Sequence, residues 1–387
     1  MKKFWLKDEE CTGCGMCADV CPVHAIEMKS NQCGFLYPQI NNNCIDCNLC
    51  EKKCTHKNIK RQNENSTPVA YAAWTKDEDL RYNSTSGGIF SEIAKNVINK
   101  GGVVAGAAYN GVNLVEHIII SSEDELYKIR QSKYIQSDTN HIYLTIKELL
   151  DEGVYVSFCG TPCQVGSLYS FLDEKKYDNL LTIDFICRGV NSPKAYKSWL
   201  KEIEKKQNNK VTRVWFKYKE NGWKKSPKCT RVDFENGECL VLNQNENLFM
   251  CGYLNDNLYI RPSCGDCKYK GIPRLSDITL ADFWGIDPKL DDDKGVSLVL
   301  VNNEKGKNGF NDILNKVIFE ERDFDEIEKG NICFDNSVLV PQKSEQFLKS
   351  LDNIDFSMAL SKYSYKENIV KRIGKRVKHS MKKVCKL

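Results

Sequence analysis

The sequence predicts an α/β protein that consists of a small N-terminal α+β module followed by a larger mixed α/β domain. Two observations lead to this prediction. Eight cysteines between residues 11 and 54 form two runs with the same spacing, which is typical of a small metal-binding module. Further along, apolar strands alternate with helices over residues 154–203, and this order indicates a parallel sheet with crossover helices.

The two cysteine runs both follow the pattern C-x2-C-x2-C-x3-C. This is the spacing of bacterial two-cluster ferredoxins, in which the fourth cysteine of each run binds the other cluster. The alternatives are zinc ribbons or free cysteines, but zinc sites use two C-x2-4-C pairs rather than triplets with a fourth cysteine. We therefore predict a ferredoxin domain with two 4Fe-4S clusters over residues 1–58. The predicted ligands are Cys11, Cys14, Cys17 and Cys54 for the first cluster, and Cys44, Cys47, Cys50 and Cys21 for the second.

The composition is that of an ordinary globular protein. The 387 residues are enough for two or three domains, and 41% of them are hydrophobic and 28% charged. The chain has no run of about 18 apolar residues, and its N-terminus, MKKFWLKDEE, lacks the apolar core of a signal peptide. Nineteen cysteines without a secretion signal favour metal or redox chemistry over disulfides. We therefore expect a cytoplasmic protein.

Between the module and the domain, the polar segment 57–68 ends in proline and predicts a linker. The loop 84–88 then leads into an apolar-periodic helix, whose free backbone N–H groups suit an anion. Strands over 154–158 and 180–186 end just before the loops that contain Cys163 and Cys187. Since ligands of parallel sheets lie at the carboxyl ends of the strands, we expect both loops at one binding edge.

The remaining sequence predicts an antiparallel pair of strands over 211–218 and 229–234, and helices and loops over 309–356. Four cysteines outside the module lie in loops rich in Gly, Pro and Ser, and four thiolates could hold a third 4Fe-4S cluster. The alternative is that two of them pack in the interior, while the other two bind zinc or nothing. These four residues are Cys163, Cys187, Cys264 and Cys267.

Six motifs, in this order, match those of a known family. They are Ser86-Gly-Gly88, Ser132-Lys-Tyr134, Gly160-Thr-Pro-Cys163-Gln, Cys187-Arg-Gly, Arg261-Pro-Ser-Cys264-x-x-Cys267 and Asp277-Ile-Thr-x-x-Asp282-Phe-Trp-Gly285. In these motifs the chain resembles the coenzyme F420 hydrogenase/dehydrogenase beta subunit family, fused to an N-terminal ferredoxin, over about residues 1–305. The resemblance implies an N-terminal family region over 69–152 and a mixed α/β, flavin-binding and iron–sulfur region over 153–340.

The resemblance also implies cofactors and site residues. Members of the family bind FAD and a 4Fe-4S cluster in this domain, so the four cysteines outside the module become the ligands of that cluster. Lys133 becomes a candidate catalytic cation near the flavin or substrate; its alternative is an ordinary surface lysine. Arg188 stands where the family usually has histidine, so no proton-transfer role is assigned there. The loops that suit the FAD pyrophosphate contain Ser86, Gly87 and Gly88, and Gly160, Thr161 and Pro162.

The C-terminus is basic. Residues 371–387 carry eight Lys and Arg and no acid, and because the whole chain has a net charge of +4, the rest of it carries −4. Apolar residues recur among these cations at helical spacing from residue 369, which suits an anionic membrane surface. The alternatives are a solubilising tail or a weak nucleic-acid contact, and nothing else in the sequence supports nucleic-acid binding. We predict a basic tail over 341–387.

Taken together, the sequence predicts an iron–sulfur flavoprotein oxidoreductase. Electrons would pass between ferredoxin-type 4Fe-4S clusters and FAD to reduce or oxidise a small organic substrate, with ferredoxin or another redox carrier as partner. The resemblance further suggests surface polysaccharide metabolism. Two alternatives stay open, a deazaflavin (coenzyme F420) dehydrogenase and a non-catalytic electron-transfer subunit of a larger complex.

Overall fold

The computed structural model describes residues 4–57, 59, 67–243 and 246–364; the basic segment 371–387 and most of the predicted linker lie outside them. The strands are β1 Ile26–Ser30, β2 Leu36–Ile40, β3 Val69–Thr75, β4 Val103–Asn110, β5 Leu114–Ile120, β6 Val156–Cys159, β7 Leu180–Phe185, β8 Val211–Phe216, β9 Thr230–Phe234, β10 Cys239–Leu242, β11 Ile278–Asp282, β12 Ser297–Val301 and β13 Val317–Arg322. The helices are α1 Met16–Asp19, α2 Leu49–Lys52, α3 Glu78–Tyr82, α4 Ile89–Asn99, α5 Leu126–Ile129, α6 Ile142–Asp151, α7 Pro162–Phe171, α8 Pro193–Gln207, α9 Leu248–Leu254, α10 Glu304–Asn311, α11 Asp325–Gly330, α12 Ser344–Ser350 and α13 Phe356–Tyr363. None of these helices, within the described residues, is long and apolar enough to cross a bilayer.

The N-terminal module consists of the antiparallel hairpin β1–β2 and two short helices, α1 and α2, which pack against each other. Each helix contains the third cysteine of one run, Cys17 or Cys50. The fourth cysteine of each run, Cys21 or Cys54, follows its helix. The module therefore has the α+β content that the sequence predicts.

The larger domain is built on one sheet of eight strands in the order β13-β3-β12-β11-β7-β6-β4-β5. The four strands β11, β7, β6 and β4 are parallel to one another, and the strands outside them are antiparallel to their neighbours. The predicted parallel sheet is confirmed as the centre of a mixed sheet. The predicted regions 69–152 and 153–340 both contribute strands to it.

Helices cover both faces of this sheet because its central strands are apolar on both sides. All five residues of β12, for example, are buried. On one face α4 and α10 pack through Ile93 and Phe310. On the other face α6 and α7 pack through Ile146 and Leu168, and Met16 of the N-terminal module belongs to the same core. The module is therefore docked on the α6 and α7 face.

A second, antiparallel sheet has the order β10-β9-β8, as predicted for residues 211–218 and 229–234. It packs with α8, α9, α12 and α13 around an aromatic core that includes Trp199, Phe216 and Phe249. The same core includes Val115 of β5, an edge strand of the large sheet.

The C-terminal part differs from the prediction in two places. Residues 317–322 form β13, an edge strand of the large sheet, instead of a helix or loop. Only Val317 is fully buried there, so the alternating pattern that identifies a strand is missing. Residues 341–364 are folded rather than part of a tail, because Phe347 and Phe356 are buried against Tyr259.

Candidate iron–sulfur centres and ligand cavity

The first group of cysteines in the module consists of Cys11, Cys14, Cys17 and Cys54. Burial raises the pKa of the Cys17 thiol, and the neighbouring thiolates of Cys14, Cys11 and Cys54 raise it further. Burial also raises the pKa of Cys54 to about 12, and the thiolates of Cys14 and Cys11 add to this effect. Cys54, from the second run, therefore lies beside the first run. Bound iron would keep such thiols deprotonated, as coordinated metal does.

The second group consists of Cys21, Cys44, Cys47 and Cys50. Burial raises the pKa of the Cys50 thiol, and the thiolates of Cys47, Cys21 and Cys44 act in the same direction. The backbone N–H of Ala25 donates to Cys21 Sγ at 3.2 Å, and hydrogen bonds to sulfur are one of the factors that set cluster potentials. Cys21 is buried whereas Cys47 is exposed. The second group therefore reaches the protein surface.

The four cysteines predicted to hold a third cluster line one cavity of about 150 Å³. Cys163 lies in the first turn of α7, Cys187 follows β7, and Cys264 and Cys267 come from one short 3-10 turn. Burial raises the pKa of Cys187 to about 12, and the Cys264 thiolate adds to this. The thiolates of Cys187, Cys267 and Cys14 likewise act on Cys163, whose pKa is raised mainly by burial. The structure thus brings three separate loops to one point.

The donor sets fit iron–sulfur clusters. Each set consists of four cysteines, the soft thiolate ligands that these clusters use. In the described part of the chain, no three Cys, His, Asp or Glu side chains are arranged around a single-ion position. A 4Fe-4S cluster needs no such position, because its four thiolates bind four different iron atoms.

Hydrogen bonds hold the first group beside the third. Cys14 also lines the 150 Å³ cavity, and its carbonyl accepts from Thr139 Oγ1 at 3.1 Å and from Tyr143 Oη at 2.9 Å. Tyr269 Oη donates to Thr55 Oγ1 at 2.6 Å. Thr55 occupies the position after Cys54 at which the first run has proline after Cys21, so its hydroxyl gives this run a bond to the body.

A larger cavity of about 510 Å³ lies at the carboxyl ends of the parallel strands. Its lining includes Cys159 at the end of β6, Phe185 at the end of β7 and Asp282 at the end of β11. Gly106 of β4 also contributes. This is the edge of the sheet at which the strand order predicts a ligand.

Four of the six residues predicted to bind FAD line this larger cavity, namely Ser86, Gly88, Gly160 and Thr161. Gly88 is the N-cap of α4 with a φ of 88°, and a Cβ at this position would meet Thr75 Cγ2 at 2.8 Å. Glycine is therefore required where the loop enters α4. The two loops lie far apart in sequence and meet at one cavity.

The other two predicted FAD residues do not line the larger cavity. The Gly87 N–H donates to Ser297 Oγ at 2.9 Å, and a Cβ at Gly87 would meet the Ala73 carbonyl oxygen at 2.4 Å. Its role is therefore close packing on β3 and β12. Pro162 starts α7 and lines the 150 Å³ cysteine cavity instead.

Lys133, the predicted catalytic residue, is half-buried in the wall of the larger cavity. Its Nζ donates to the Arg130 carbonyl at 2.8 Å and to the Gln131 carbonyl at 3.4 Å. Burial lowers its pKa to about 7, while the Cys159 thiolate acts in the opposite direction. An amine with such a pKa can exchange protons near neutral pH.

Sequence reasoning missed His117, which also lines the larger cavity. The residue is only 3% exposed, its ring centroid lies 5.7 Å from that of Phe158, and neither ring nitrogen has a hydrogen-bond partner among the described residues. Burial lowers its pKa to about 4. The signal in the sequence was a single histidine in a strand whose other residues, apart from Glu116, are apolar.

The last family motif forms another part of the cavity wall. Asp282 pairs with Lys217 and accepts from Trp223 Nε1 at 3.3 Å. The ring of Trp223 stacks on Trp284, with the ring centroids 4.3 Å apart. Lys217 was not singled out by the sequence, because no local pattern marks the lysine that neutralises a distant carboxylate.

Three family models match the chain. A 4Fe-4S binding domain matches residues 6–27. The N-terminal model of the coenzyme F420 hydrogenase/dehydrogenase beta subunit matches 70–142, and its C-terminal model matches 155–327. The two beta subunit models together cover more than half of the chain. The chain belongs to the coenzyme F420 hydrogenase/dehydrogenase beta subunit family.

This beta subunit family member is therefore an iron–sulfur electron-transfer protein of the oxidoreductase class. No curated protein matches it. Among solved structures, a chain of the F420-reducing NiFe hydrogenase complex from Methanosarcina barkeri, studied by xenon derivatization, is 15% identical with a TM-score of 0.47. The match covers 79% of this chain and 94% of that chain.

Proposed function

We propose that this protein relays electrons between a redox partner at its surface and a flavin in the 510 Å³ cavity. The observation that supports this is a wall common to the two cavities, since Thr161, Cys187 and Arg188 line both. Cys14, a ligand of the first cluster, lines the cysteine cavity as well. Cys50 of the second group acts on the pKa of Cys17 of the first, so the proposed order is second group, first group, third group and ligand cavity.

The surface end of this relay is the second group. Its Cys47 is exposed, so a redox partner can approach the cluster closely. We propose ferredoxin or a similar carrier for this position, or a neighbouring subunit of a larger complex. The twelve cysteines of the three groups act as ligands in this proposal.

The inner end of the relay is the larger cavity, for which we propose FAD. Ser86, Gly88, Gly160 and Thr161 would hold its pyrophosphate at the starts of α4 and α7. A flavin exchanges electron pairs with organic molecules and single electrons with clusters, while the protein supplies binding and orientation. Lys133 Nζ would hold the proton that such an exchange requires.

The family description favours coenzyme F420 as the organic molecule that reacts at this cavity. A non-catalytic subunit, in which a partner enzyme carries out all substrate chemistry, is the second candidate and is favoured by the exposed second group. A role in surface polysaccharide metabolism stays a prediction.

The first test is anaerobic purification with iron, sulfide and flavin quantified on the same sample. We expect about twelve iron atoms and one FAD per chain, because three groups of four cysteines would hold three cubane clusters. About eight iron atoms without flavin would contradict the relay and leave a ferredoxin-bearing module.

A matched pair of variants tests the third cluster. Cys187→Ser should lower the iron content to about eight per chain, since one of the three four-cysteine sites is lost. Cys239→Ser should leave it unchanged, because Cys239 is exposed and outside all three groups. Reduction of F420 or of other acceptors by the purified chain then separates the catalytic proposal from the non-catalytic subunit.

A further inference from the structure

Arg261 connects the N-terminal module to the body from a fully buried position. Its Nε donates to the Cys11 carbonyl at 2.7 Å, its Nη2 to the Leu36 carbonyl at 3.0 Å, and its Nη1 to Gln136 Oε1 at 3.2 Å. The guanidinium also lies 4.2 Å from the ring centroid of Tyr37. All of these partners are neutral.

A buried charge needs compensation, because its transfer out of water is unfavourable. Other buried arginines of this chain have it. Arg81 pairs with Asp292 at 2.7 Å, and Arg274 pairs with Asp184 at 2.7 Å. Arg261 pairs with no carboxylate in the part of the chain that the structure describes, and its guanidinium bonds to carbonyl and amide oxygens and to the side chain of Cys11.

Cysteines of two groups lie next to Arg261. The guanidinium donates to the Cys11 carbonyl at 2.7 Å, and a Cβ at Gly13 in the same loop would lie 2.6 Å from Nη1. Cys11 belongs to the first group and Cys264 to the third, and the Cys264 N–H donates to the Arg261 carbonyl at 3.0 Å. Arg261 therefore contacts the first group through its guanidinium and the third group through its backbone carbonyl.

We propose that Arg261 is a positioning residue whose buried positive charge raises the reduction potentials of both the first and the third cluster. The proposal rests on the proposed function, because it requires clusters at both groups. Reduction adds negative charge to a cluster, and a fixed cation in a low-dielectric interior stabilises the reduced form. The second cluster is bound by Cys21, Cys44, Cys47 and Cys50, none of which contacts Arg261, and serves as an internal reference.

The experiment compares Arg261→Gln with Arg261→Lys in the full chain. Iron and sulfide are quantified, and cluster potentials are measured by EPR-monitored redox titration. Arg261→Gln removes the charge, so the equilibrium constant for reduction should fall at least tenfold at the first cluster, about 59 mV for one electron. The fall should be smaller at the third cluster, because the guanidinium bonds directly to Cys11 whereas Cys264 contacts only the backbone carbonyl of Arg261. Arg261→Lys retains the charge and should keep potentials near the wild-type values.

Two further variants test the proposal without substituting Arg261. Gln136→Glu places a carboxylate beside the guanidinium and neutralises its charge without removing it, so the same two potentials should fall even if Arg261→Gln fails to retain iron. Arg81→Gln removes a buried arginine that contacts no cysteine of the three groups, and should leave all potentials unchanged.

The outcomes separate the two proposals. Wild-type protein with fewer than twelve iron atoms would contradict the proposed function and this inference together. Full iron content with unchanged potentials in Arg261→Gln, or in Gln136→Glu, would contradict the role of Arg261 alone. Equal shifts at all three clusters would also contradict it, because a general loss of packing does not distinguish the second cluster from the other two.

Discussion

Burial shifts the pKa values of Lys133 and His117 in the same direction, towards the neutral side chain. Lys133 is moved to about 7 and His117 to about 4, and the charge of Lys133 contributes to the second shift. Both residues line the larger cavity. Strongly shifted pKa values are common among the residues of functional sites. The two residues should therefore have measurable effects on the pH dependence of the protein.

For His117, the expected effect is on stability. The folded protein keeps the ring neutral down to about pH 4, whereas the unfolded chain takes up a proton at about pH 6.5, so stability falls as the pH drops through this window. Between about pH 7.5 and 5.5 the loss should be about 1 kcal/mol in the free energy of unfolding. His117→Phe, measured by anaerobic urea unfolding, should lack this loss. His24→Asn, at an exposed histidine, should retain it.

For Lys133, the expected effect is on turnover. The protonated amine is available below about pH 7, so a reaction that takes its proton should slow as the pH rises through this value. Lys133→Met should lower kcat by about a hundredfold or more, the usual range for a lost acid or base, and should abolish this pH dependence. Lys128→Met replaces a surface lysine and should change neither. An unchanged pH profile in Lys133→Met would contradict the catalytic role.

At the residue scale, the sequence predicts candidate ligands but not the distant residues that contact them. Local spacing predicts the eight cysteines of the module as ligands, and the family resemblance predicts the other four. The partners of Arg261 and Asp282 were not predicted, since Cys11 and Lys217 lie far away along the chain and only the fold brings them together. Gly87 is the opposite case. Its place in a glycine-rich loop suggested contact with a ligand, but in the structure it packs against β3 and β12.

At the scale of elements, the entry into α4 depends on backbone conformation. Gly88→Ala should destabilise the fold by about 1–2 kcal/mol from the left-handed conformation alone, and by more because its Cβ would lie 2.8 Å from Thr75 Cγ2. Gly101→Ala is the matched control, since Gly101 has a φ of 78° and a Cβ there would meet nothing within 4 Å. Urea unfolding should rank Gly88→Ala as the less stable variant. Equal losses in the free energy of unfolding would show that the structure relieves the contact with Thr75 without losing stability.

The elements that the sequence predicts correctly are those with a strong local pattern. The strands before Cys163 and Cys187 are buried and apolar, and α7 follows Thr161, whose N–H donates to Gln164 Oε1 at 2.9 Å in a capping box. β13 was missed because its surface is mostly exposed and its position depends on pairing with β3, more than 240 residues away.

At the scale of the whole molecule, the basic segment 371–387 is expected to bind anionic membranes. Deletion of this segment should abolish sedimentation with anionic vesicles, because about 1 kcal/mol of attraction per basic residue would be lost. The wild-type protein should also lose its binding when neutral lipids replace the anionic ones. Sedimentation that survives the deletion would contradict the prediction.

The arrangement of the module on the body is the part of the molecule that the sequence does not predict. Spacing identifies the module, but its docking depends on single bonds such as those from Tyr143 to Cys14 and from Tyr269 to Thr55. These contacts involve residues without a motif of their own. The order of the three cysteine groups therefore emerges only from the folded structure.

The contact between Gly13 and Arg261 has a consequence for biosynthesis. A Cβ at Gly13 would lie 2.6 Å from Arg261 Nη1, so the loop of the first cysteine run is shaped around a residue far towards the C-terminus. The ribosome synthesises Cys11, Cys14 and Cys17 long before it reaches Arg261. Delivery of iron and sulfide to the first site should therefore be completed only after most of the chain has been translated.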